Sequence, residues 1–533
     1  MIIVTSQQMR ILDQLTIDET GIPGIILMEN AGIHLYRFLE DEVEDLEDKK
    51  ISIICGKGNN GGDGMVLARQ LAIRGHFPEV ILLAGTGDVS GEAATNLHIL
   101  ENLDVTLVEV TNEAEWLKTV EVLEDNDIIV DAILGTGIDK PLEGFYASVV
   151  EDINALGCYI LSVDIPSGVF SDRVEASPLA VEADATVTFT APKIAHILSR
   201  QVSCMGEISI VPIGTPEEML LEIEAAKEAP MVLTEEMLAM LPVERSASSY
   251  KGSYGHVGII AGSRGKSGAA SLGAKAAMRS GSGLVTAFLP ESIQDRVAGS
   301  FPEIMTEGFP ETETGSFSLG AADPAALLAV NKDALGIGPG LTTHTETIEV
   351  VYELIRRAKA PAVIDADALN AIAQDTSLLQ REDGPPLVLT PHPGEFSRLT
   401  GLGRDRILED PLGTAGSFAV EHQVWLVLKD FRTVIASPDG SLWVSPYGNP
   451  GMATAGMGDV LTGILTSILG QYSAAGLLAT NRGVTESLCL GVGLHGIAGD
   501  LAALETGFES LTAGDVINAI PAAYDYLENS DWV

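Results

Sequence analysis

The sequence predicts an α/β protein with two globular domains, each built on a mostly parallel sheet covered by helices. The length of 533 residues exceeds that of one ordinary domain. Apolar residues make up 46% of the chain, which is sufficient for large buried cores. Short strand patterns alternate with helical patterns along both halves. An acidic, helix-prone stretch at residues 217–230 fits a connector, so we predict domains at residues 1–216 and 231–533.

The charge of the chain limits the partners that it can bind. There are 75 Asp and Glu residues against 31 Lys and Arg residues, which gives a formal net charge of −44. Such a surface repels polyanions, and we therefore expect neither nucleic acid nor a membrane as a partner. Two explanations of the acidity remain open, namely adaptation to a salty cytoplasm and an ordinary acidic soluble enzyme.

Cysteine spacing and the first residues indicate a reducing compartment. The four cysteines lie far apart without paired spacing, which argues against a zinc site and against a disulfide framework. The chain starts without the basic segment and apolar run of a signal peptide, so we expect a cytoplasmic protein. The most apolar long window, residues 460–479, predicts a core helix because Gln471 and glycines interrupt it.

The stretch from Asn449 to Ile464 carries the clearest signal of chemistry. Several glycines precede Asp459, which opens an apolar, helix-compatible run. Such a turn presents unpaired backbone amides at a helix N-terminus, where a phosphate can bind. A carboxylate beside it can take a proton from an attacking hydroxyl while the amides neutralise a transferring phosphoryl group. The pattern predicts a kinase-like site, although a simple capped helix has the same local sequence.

Three other strands of the second half end in polar residues. Lys429 and Thr433 flank the turn after one apolar strand, Asp365 follows another, and His392 and Glu395 follow a third. Ligands of open α/β sheets bind at the carboxyl ends of the strands, so we expect these side chains in one cleft. A lone histidine such as His392 is also commonly a packed residue.

Together, four segments resemble the ribokinase-like superfamily and, within it, the ADP-dependent NAD(P)H-hydrate dehydratases, over roughly residues 230–530. The segments are residues 251–256, 338–340, 390–395 and 456–459. The resemblance implies a ribokinase-like α/β fold, ADP as co-substrate, Mg²⁺, and AMP and phosphate as products. It implies that Asp459 is catalytic, that Gly340, His392 and Asp459 bind the hydrate, and that Lys429, Asp430, Phe431, Arg432, Thr433 and Gly458 bind the nucleotide.

One residue departs from that family's pattern. Asp430 stands where many relatives carry glycine. An extra carboxylate beside phosphates would be repelled by them, which makes the nucleotide contacts of this loop less certain.

In the first half, an apolar strand at residues 51–55 runs into a turn with five glycines at residues 56–64. Glycines let backbone amides approach a ligand closely, and we expect the following helix to begin near Met65. The spacing is not that of a GxGxxG loop, and two asparagines add side-chain amides. Two later strands end in Asp131 and Asp164, each followed by a sharp turn. Each aspartate alone is also compatible with a simple cap.

These motifs resemble the NAD(P)H-hydrate epimerase family across about residues 1–215. The resemblance implies a Rossmann-like three-layer sandwich and a K⁺ ion at Asn60, Asp131 and Ser167, whose oxygens are hard ligands. Asp164 is the candidate acid/base that interconverts the two C6 epimers, with Lys140 and Lys193 as weaker candidates. The residues implied to bind the hydrate are Asn59, Asn60, Gly61, Gly62, Asp63, Gly135, Thr136, Gly137, Ile138, Asp139, Lys140, Pro141 and Asp164.

The two resemblances combine into one hypothesis. The chain would epimerise the R and S hydrates of NADH and NADPH at C6 and dehydrate the S form with ADP. We expect a homo-oligomer, with the number of chains left open. One alternative is a vitamin-precursor kinase of the ribokinase-like superfamily fused to a noncatalytic ligand-binding domain. Another treats the first half as a binding or scaffold module without catalysis.

Overall fold

A computed structural model describes residues 1–103, 105–225, 229–381 and 384–529. The chain forms two compact units, Met1–Ala229 and Pro230–Val533. The predicted connector at 217–230 begins with a helix that belongs to the first unit, whereas residues 226–228 of the connector lie outside the described residues.

The first unit contains a seven-stranded sheet in which every neighbouring pair of strands is parallel. The strands are β1 (Ile51–Cys55), β2 (Glu79–Leu82), β3 (Thr106–Glu109), β4 (Ile128–Ala132), β5 (Tyr159–Val163), β6 (Ala185–Phe189) and β7 (Glu207–Val211). They lie in the order β3-β2-β1-β4-β5-β6-β7. The helices are α1 (Ser6–Thr20), α2 (Gly24–Glu42), α3 (Asn59–Ala72), α4 (Gly91–Asn102), α5 (Glu113–Leu123), α6 (Phe145–Ala155), α7 (Ile194–Leu198) and α8 (Glu217–Ala225).

Helices cover both faces of this sheet, because successive strand residues point to opposite sides. Ile53 packs in a core with residues of α2, α3 and α4, and its neighbour Ile54 packs in a second core with residues of α5 and α6. The predicted three-layer α/β fold of the first half is confirmed.

Helix α3 begins at Asn59, so the expectation of a start near Met65 is wrong. Three of the glycines counted as turn residues, Gly61, Gly62 and Gly64, lie inside the helix and allow it to pack closely. A Cβ on Gly61 would lie 1.9 Å from the Gly56 carbonyl oxygen, and one on Gly64 would lie 2.6 Å from the Ala132 side chain. Glycine here serves close contact between helix and sheet, and not a left-handed turn.

The second unit contains a ten-stranded sheet. The strands are β8 (Met231–Val232), β9 (His256–Ile260), β10 (Leu284–Pro290), β11 (Met305–Phe309), β12 (Ala334–Ile337), β13 (Ala362–Ile364), β14 (Leu387–Leu389), β15 (Trp425–Leu428), β16 (Thr433–Ala436) and β17 (Leu442–Ser445). They lie in the order β11-β10-β9-β12-β13-β14-β15-β16-β17-β8, and only β16 runs antiparallel to its two neighbours among these strands. The mostly parallel sheet predicted for the second half is confirmed.

Helices of the second unit fill the connections of this sheet. They are α9 (Glu235–Ala239), α10 (Ser267–Arg279), α11 (Glu291–Ala298), α12 (Ala322–Ala329), α13 (Thr345–Arg357), α14 (Ala366–Ile372), α15 (Pro393–Thr400), α16 (Arg404–Glu409), α17 (Pro411–His422), α18 (Met457–Ala474), α19 (Asn481–Thr506) and α20 (Ala513–Asn529). Helix α18 is buried on nearly all sides from Val460 to Tyr472, as predicted for a core helix. It packs tightly on α10, where a Cβ on Gly463 would lie 2.2 Å from the Gly273 carbonyl oxygen.

Helix α19 is the one described helix that is long and apolar enough to cross a membrane. However, 78% of its most apolar window is buried inside the protein. A helix that is apolar all round and buried in this way is typical of the core of a large domain.

Candidate active sites

A cavity of about 580 Å³ lies at the carboxyl ends of strands in the first unit. Its walls include the loops that follow β1, β4 and β5. The strand order reverses between β1 and β4, and crevices at such a reversal are where open α/β sheets bind ligands. The predicted residues that line the cavity are Asn59, Asn60, Asp63, Gly135, Thr136, Gly137 and Asp164.

The remaining residues predicted to bind the hydrate in this half are not among those that line the described cavity. Gly62 faces the Met28 side chain, as Gly61 faces the Gly56 carbonyl, so both are helix packing positions. The Asp139 carbonyl accepts a hydrogen bond from Arg173 at 2.9 Å. The others are Ile138, Lys140 and Pro141, of which Lys140 and Pro141 are exposed.

Asp164 is held in one orientation at the cavity wall by three neighbours. Its backbone has φ +63°, a left-handed conformation that aspartate tolerates better than most residues. The Lys193 ammonium donates to Asp164 Oδ1 at 2.6 Å, and the Thr188 hydroxyl donates to the same oxygen at 2.9 Å. His196 Nδ1 accepts from the Lys193 amide, so Nε2 carries the proton and donates to the Asp164 carbonyl at 2.9 Å.

This pairing keeps the Asp164 carboxylate ionised. Burial acts to raise its pKa, but the adjacent Lys193 ammonium and the Thr188 hydroxyl outweigh burial, and the pKa lies below the usual value. Lys193 is 1% exposed, so its ammonium cannot be solvated by water in place of its contact with the Asp164 carboxylate. Burial and the nearby carboxylates, first Asp164, raise the pKa of Asp63 well above its usual value. The cavity therefore combines one carboxyl group whose ionised form is favoured, Asp164, with one whose protonated form is favoured, Asp63.

The three residues predicted to bind K⁺ lie around the loop that follows β4. Asp131 is fully buried, and its carboxylate accepts hydrogen bonds from the Ser167 amide at 2.8 Å and from the Ser167 hydroxyl at 2.6 Å. The Ser167 hydroxyl in turn accepts from the Leu134 amide. Asn60 lies against Gly135, and its buried Nδ2 has no hydrogen-bond partner in the described part of the chain. The site thus contains oxygen ligands and an unsatisfied buried amide.

In the second unit, the glycine-rich turn leads into α18 as predicted. Gly456 caps the helix with φ +94°, a conformation that favours glycine. No backbone acceptor in the described ranges receives a hydrogen bond from the amides of residues 455–458. These amides stand at the positive end of an 18-residue helix and can bind an anion.

Asp459 is half-buried in the first turn of α18, and its carboxylate has no hydrogen bond within the described residues. Burial, followed by the repulsion of Asp365, raises its pKa to about 6, while Lys429 acts in the opposite direction. A carboxylate with a pKa near 6 is a stronger base than an ordinary aspartate and is still ionised at neutral pH.

Asp365 and Lys429 form a buried ion pair beside this turn. Lys429 Nζ lies 2.7 Å from Asp365 Oδ1, which also accepts from Thr390, and Thr462 donates to Asp365 Oδ2 at 2.9 Å. A Cβ on Gly458 would lie 3.4 Å from Lys429 Nζ, so glycine here lets the ammonium approach the turn. The ammonium of Lys429 therefore adds positive charge beside the free amides.

Replacing Lys429 by methionine should lower the free energy of unfolding by about 3–5 kcal/mol, because it leaves the buried carboxylate of Asp365 without its cation. The Asp365 side chain is 2% exposed. Lys266→Met is the matched control, since it breaks the pair with Asp367 whose lysine is 52% exposed, and we expect a loss below about 1 kcal/mol. Urea denaturation measures both losses, and similar values for the two variants would contradict this assignment.

The other residues predicted to bind nucleotide lie in the hairpin between β15 and β16. Asp430 and Phe431 are exposed, and Arg432 stacks over the Phe431 ring at 4.6 Å. Arg432 also donates to the Pro446 carbonyl, and Thr433 begins β16. The hairpin thus places Lys429 toward the turn of α18 and Phe431 toward solvent.

His392 caps the N-terminus of α15 with its side chain. Its Nδ1 accepts from the Gly394 amide at 3.0 Å, and the carboxylate of Glu395 accepts from the His392 amide. Burial lowers the pKa of His392, and Lys429 lowers it further, against the opposing effect of Glu395. Gly340 has φ +66°, and its carbonyl accepts from the Ser263 hydroxyl at 2.7 Å. Sequence analysis named Lys193 only as a weaker acid/base candidate, expected Asp365 in the cleft without a partner, and did not single out Thr462. The contacts of these residues come from partners that are distant in sequence.

Comparisons with known proteins cover both halves of the chain. Residues 257–522 match the family model described as NAD(P)H-hydrate dehydratase, and residues 24–195 match the model described as YjeF-related protein N-terminus. The Bifunctional NAD(P)H-hydrate repair enzyme Nnr of Moorella thermoacetica is 41% identical over 99% of this chain and 97% of its own length. The protein of the same name from Thermofilum pendens is 35% identical over 97% of this chain and 95% of its own length.

Among solved structures, the ADP/ATP-dependent NAD(P)H-hydrate dehydratase from Bacillus subtilis, co-crystallized with ATP/Mg²⁺, is 30% identical. It matches 56% of this chain and 99% of its own chain with a TM-score of 0.48.

The fold and the sites define a two-domain α/β enzyme. Its first unit is Rossmann-like, and its second unit has a glycine-rich turn at the N-terminus of α18 that can bind a phosphate, as in a kinase. The chain belongs to the family of bifunctional NAD(P)H-hydrate repair enzymes. The family predicted from the sequence is confirmed.

Proposed function

We propose that Asp164 in the first unit interconverts the R and S hydrates of NADH and NADPH, and that Asp459 in the second unit acts as the general base of an ADP-dependent dehydration. Membership of the family makes the chain a bifunctional NAD(P)H-hydrate epimerase and dehydratase, and the alternative of a vitamin-precursor kinase is not favoured. The observation that carries the proposal is the half-buried carboxylate of Asp459 beside unpaired amides.

The dehydration needs a better leaving group than hydroxide. Asp459 takes the proton of the C6 hydroxyl, whose oxygen attacks the terminal phosphorus of ADP, and AMP leaves. The amides of residues 456–458 and the Lys429 ammonium stabilise the charge on the transferring phosphoryl group. The C6–O bond then breaks, phosphate departs with the bonding pair, and a proton passes from C5 to water, which restores the reduced dihydropyridine.

Mg²⁺ would come to this site with the nucleotide. The described residues contain no group of three histidine, cysteine or carboxylate side chains arranged to hold a metal ion. Mg²⁺ is commonly bound by one or two carboxylates together with substrate phosphates, so this donor set is compatible with it. When bound, Mg²⁺ would neutralise charge on the phosphate oxygens, and the groups that would hold it are the carboxylates close enough to raise the pKa of Asp459, namely Asp365 and Asp367.

Asp164 is suited to proton transfer at the C6 hydroxyl of the hydrate. Lys193 and Thr188 occupy its Oδ1 atom, and the residue lines the cavity wall. Its other carboxyl oxygen is therefore the one available to substrate. A K⁺ ion held by Asn60, Asp131 and Ser167 would order the loop beneath the substrate and offset the buried charge of Asp131.

Adding K⁺ in place of tetramethylammonium should raise the melting temperature of the first unit, because a ligand that binds only the folded state stabilises that state. We expect the free energy of unfolding to rise by about 1–3 kcal/mol. Asn60→Ala should remove the increment, since it removes the side-chain oxygen of Asn60, which is one of the three predicted ligands. Asn59→Ala is the control, because Asn59 is the exposed neighbour of Asn60, and this variant should keep the rise in melting temperature that K⁺ causes. An increment that survives in Asn60→Ala would contradict the predicted K⁺ ligands.

The proposed function is tested by supplying R hydrate, S hydrate or their mixture together with ADP or ATP. We expect the near-ultraviolet absorbance of reduced nicotinamide to return with AMP and phosphate as products, and the R hydrate to react only after epimerisation. A stable phosphorylated product without restored absorbance would overturn the proposal. Assembly into homo-oligomers and a cytoplasmic location stay predictions.

A further inference from the structure

The first helix places one of its faces over the cavity of the first unit. Ser6, Met9, Arg10, Asp13 and Ile17 all line the cavity, and their spacing of three and four residues puts them on one side of α1. The helix begins with a capping box, and its first residue is tied to Asp172 by hydrogen bonds of 2.7 and 2.5 Å. Helix α1 is therefore a fixed part of the cavity wall.

Asp13 is the acidic residue on this face. Its Oδ1 atom is buried and has no hydrogen-bond partner in the part of the chain that the structure describes. A buried carboxyl oxygen without a partner is costly, and such atoms are retained most often where a ligand supplies the missing partner. The other ionisable side chains that line the cavity are Arg10, Lys57, Asp63, Glu92, Tyr146, Asp164 and Lys193.

The environments of Asp13 and Asp164 favour opposite protonation states. Burial raises the pKa of Asp13 to about 6, with Lys193 lowering it and Asp164 raising it. The pKa of Asp164 lies below its usual value because of Lys193, and burial together with Asp164 raises the pKa of Asp63 well above its usual value, which favours the protonated form of Asp63. Among these carboxyl groups, Asp13 is the one that can both give and take a proton near neutral pH.

We infer that Asp13 is a second acid/base residue of the epimerase site and exchanges a proton with the nicotinamide ring while Asp164 exchanges one with the C6 hydroxyl. The inference rests on the proposed epimerase function of this cavity. Its geometric basis is that both carboxyl groups line one cavity and that Asp13 Oδ1 is buried there without a partner.

Epimerisation through ring opening requires two proton transfers. Asp164 takes the proton from the C6 hydroxyl, the C6–N1 bond breaks, and C6 becomes an aldehyde. The bonding pair goes to N1, which receives a proton from Asp13. Rotation about the C5–C6 bond turns the other face of the aldehyde toward N1. N1 then attacks C6 while Asp13 takes back the N–H proton and Asp164 returns its proton to the oxygen, so no proton is gained or lost.

In this sequence of steps the reactive state has Asp164 ionised and Asp13 protonated. We therefore expect the enzymatic exchange rate, after subtraction of the uncatalysed exchange at each pH, to fall as pH rises through about 6. Asp13→Asn should lower kcat for exchange by about 10²-fold, the lower end of what a general acid contributes, and abolish this falling limb, because an amide cannot supply the proton. Asp13→Glu should restore part of the rate together with the limb.

Asp18→Asn is the matched control, because Asp18 lies on the exposed side of the same helix. It should change neither the rate nor the pH profile, and all variants should keep the dehydratase activity of the second unit. If Asp164→Asn abolishes exchange but Asp13→Asn leaves both the rate and its pH dependence intact, the role of Asp13 is overturned and the proposed epimerase function is not. Absence of exchange in the unmodified chain would instead overturn the proposed epimerase function.

Discussion

Replacing Asp459 by asparagine should lower kcat of the dehydratase by about 10²–10⁴-fold, the contribution typical of a general base. Asparagine keeps the size and the helix position but cannot accept the proton of the C6 hydroxyl. In the unmodified chain, the rate should rise with pH through about 6 and level off above it, because the base must be ionised. Initial rates of recovery of reduced nicotinamide at saturating ADP measure both effects.

The same substitution should stabilise the protein. The pKa of Asp459 lies near 6 in the folded state against an ordinary value of 3.8 for aspartate, so folding favours the neutral form. This contribution to stability is complete below pH 3.8 and is lost as pH rises through about 6. At neutral pH the ionised form of Asp459 therefore destabilises the folded state, and Asp459→Asn should raise the free energy of unfolding by about 2 kcal/mol.

Glu291→Gln provides the control for Asp459→Asn. Glu291 is an exposed acid in the first turn of α11, so its substitution also removes a favourable charge at a helix N-terminus. It should change neither the rate nor the pH profile. A dehydratase rate that survives Asp459→Asn within about tenfold would contradict the role of Asp459 as the base.

Asp164→Asn should abolish epimer exchange and also destabilise the first unit. The substitution leaves the Lys193 ammonium, which is 1% exposed, without a carboxylate. Breaking a buried pair in this way costs about 3–5 kcal/mol. The pKa of Asp164 is lowered in the folded state, so its pair with Lys193 stabilises the protein at pH values above the pKa of aspartate in the unfolded chain. This stabilisation is lost as pH falls through the folded-state pKa of Asp164.

A second substitution separates catalysis from stability. Lys193→Met in the Asp164→Asn background removes the unpaired charge, so the double variant should recover most of the lost stability. It should still lack exchange, because the group that accepts the hydroxyl proton is absent. Exchange is measured by separating the two epimers over time, and stability by urea denaturation. Recovery of exchange in the double variant would show that Asp164 acts only through packing.

The sequence by itself determined the α/β class, the two mostly parallel sheets and the turn that leads to Asp459. These features are local, because strand and helix periods, glycine-rich turns and the polar residues after strands are set by neighbours in the chain. The start of α3 was predicted wrongly, because a glycine is typical both of a turn and of a close packing position. Only the structure distinguishes the two, since a Cβ on Gly61 would lie 1.9 Å from the Gly56 carbonyl oxygen.

Only the tertiary structure decided which charges meet. Lys193 lies 29 residues from Asp164, Lys429 lies 64 residues from Asp365, and Thr462 lies 97 residues from Asp365. The sequence placed Asp164, Asp365 and Lys429 at the ends of strands without indicating their partners. Pairing and burial set whether a carboxyl group is ionised, and both depend on distances through space that no local pattern contains.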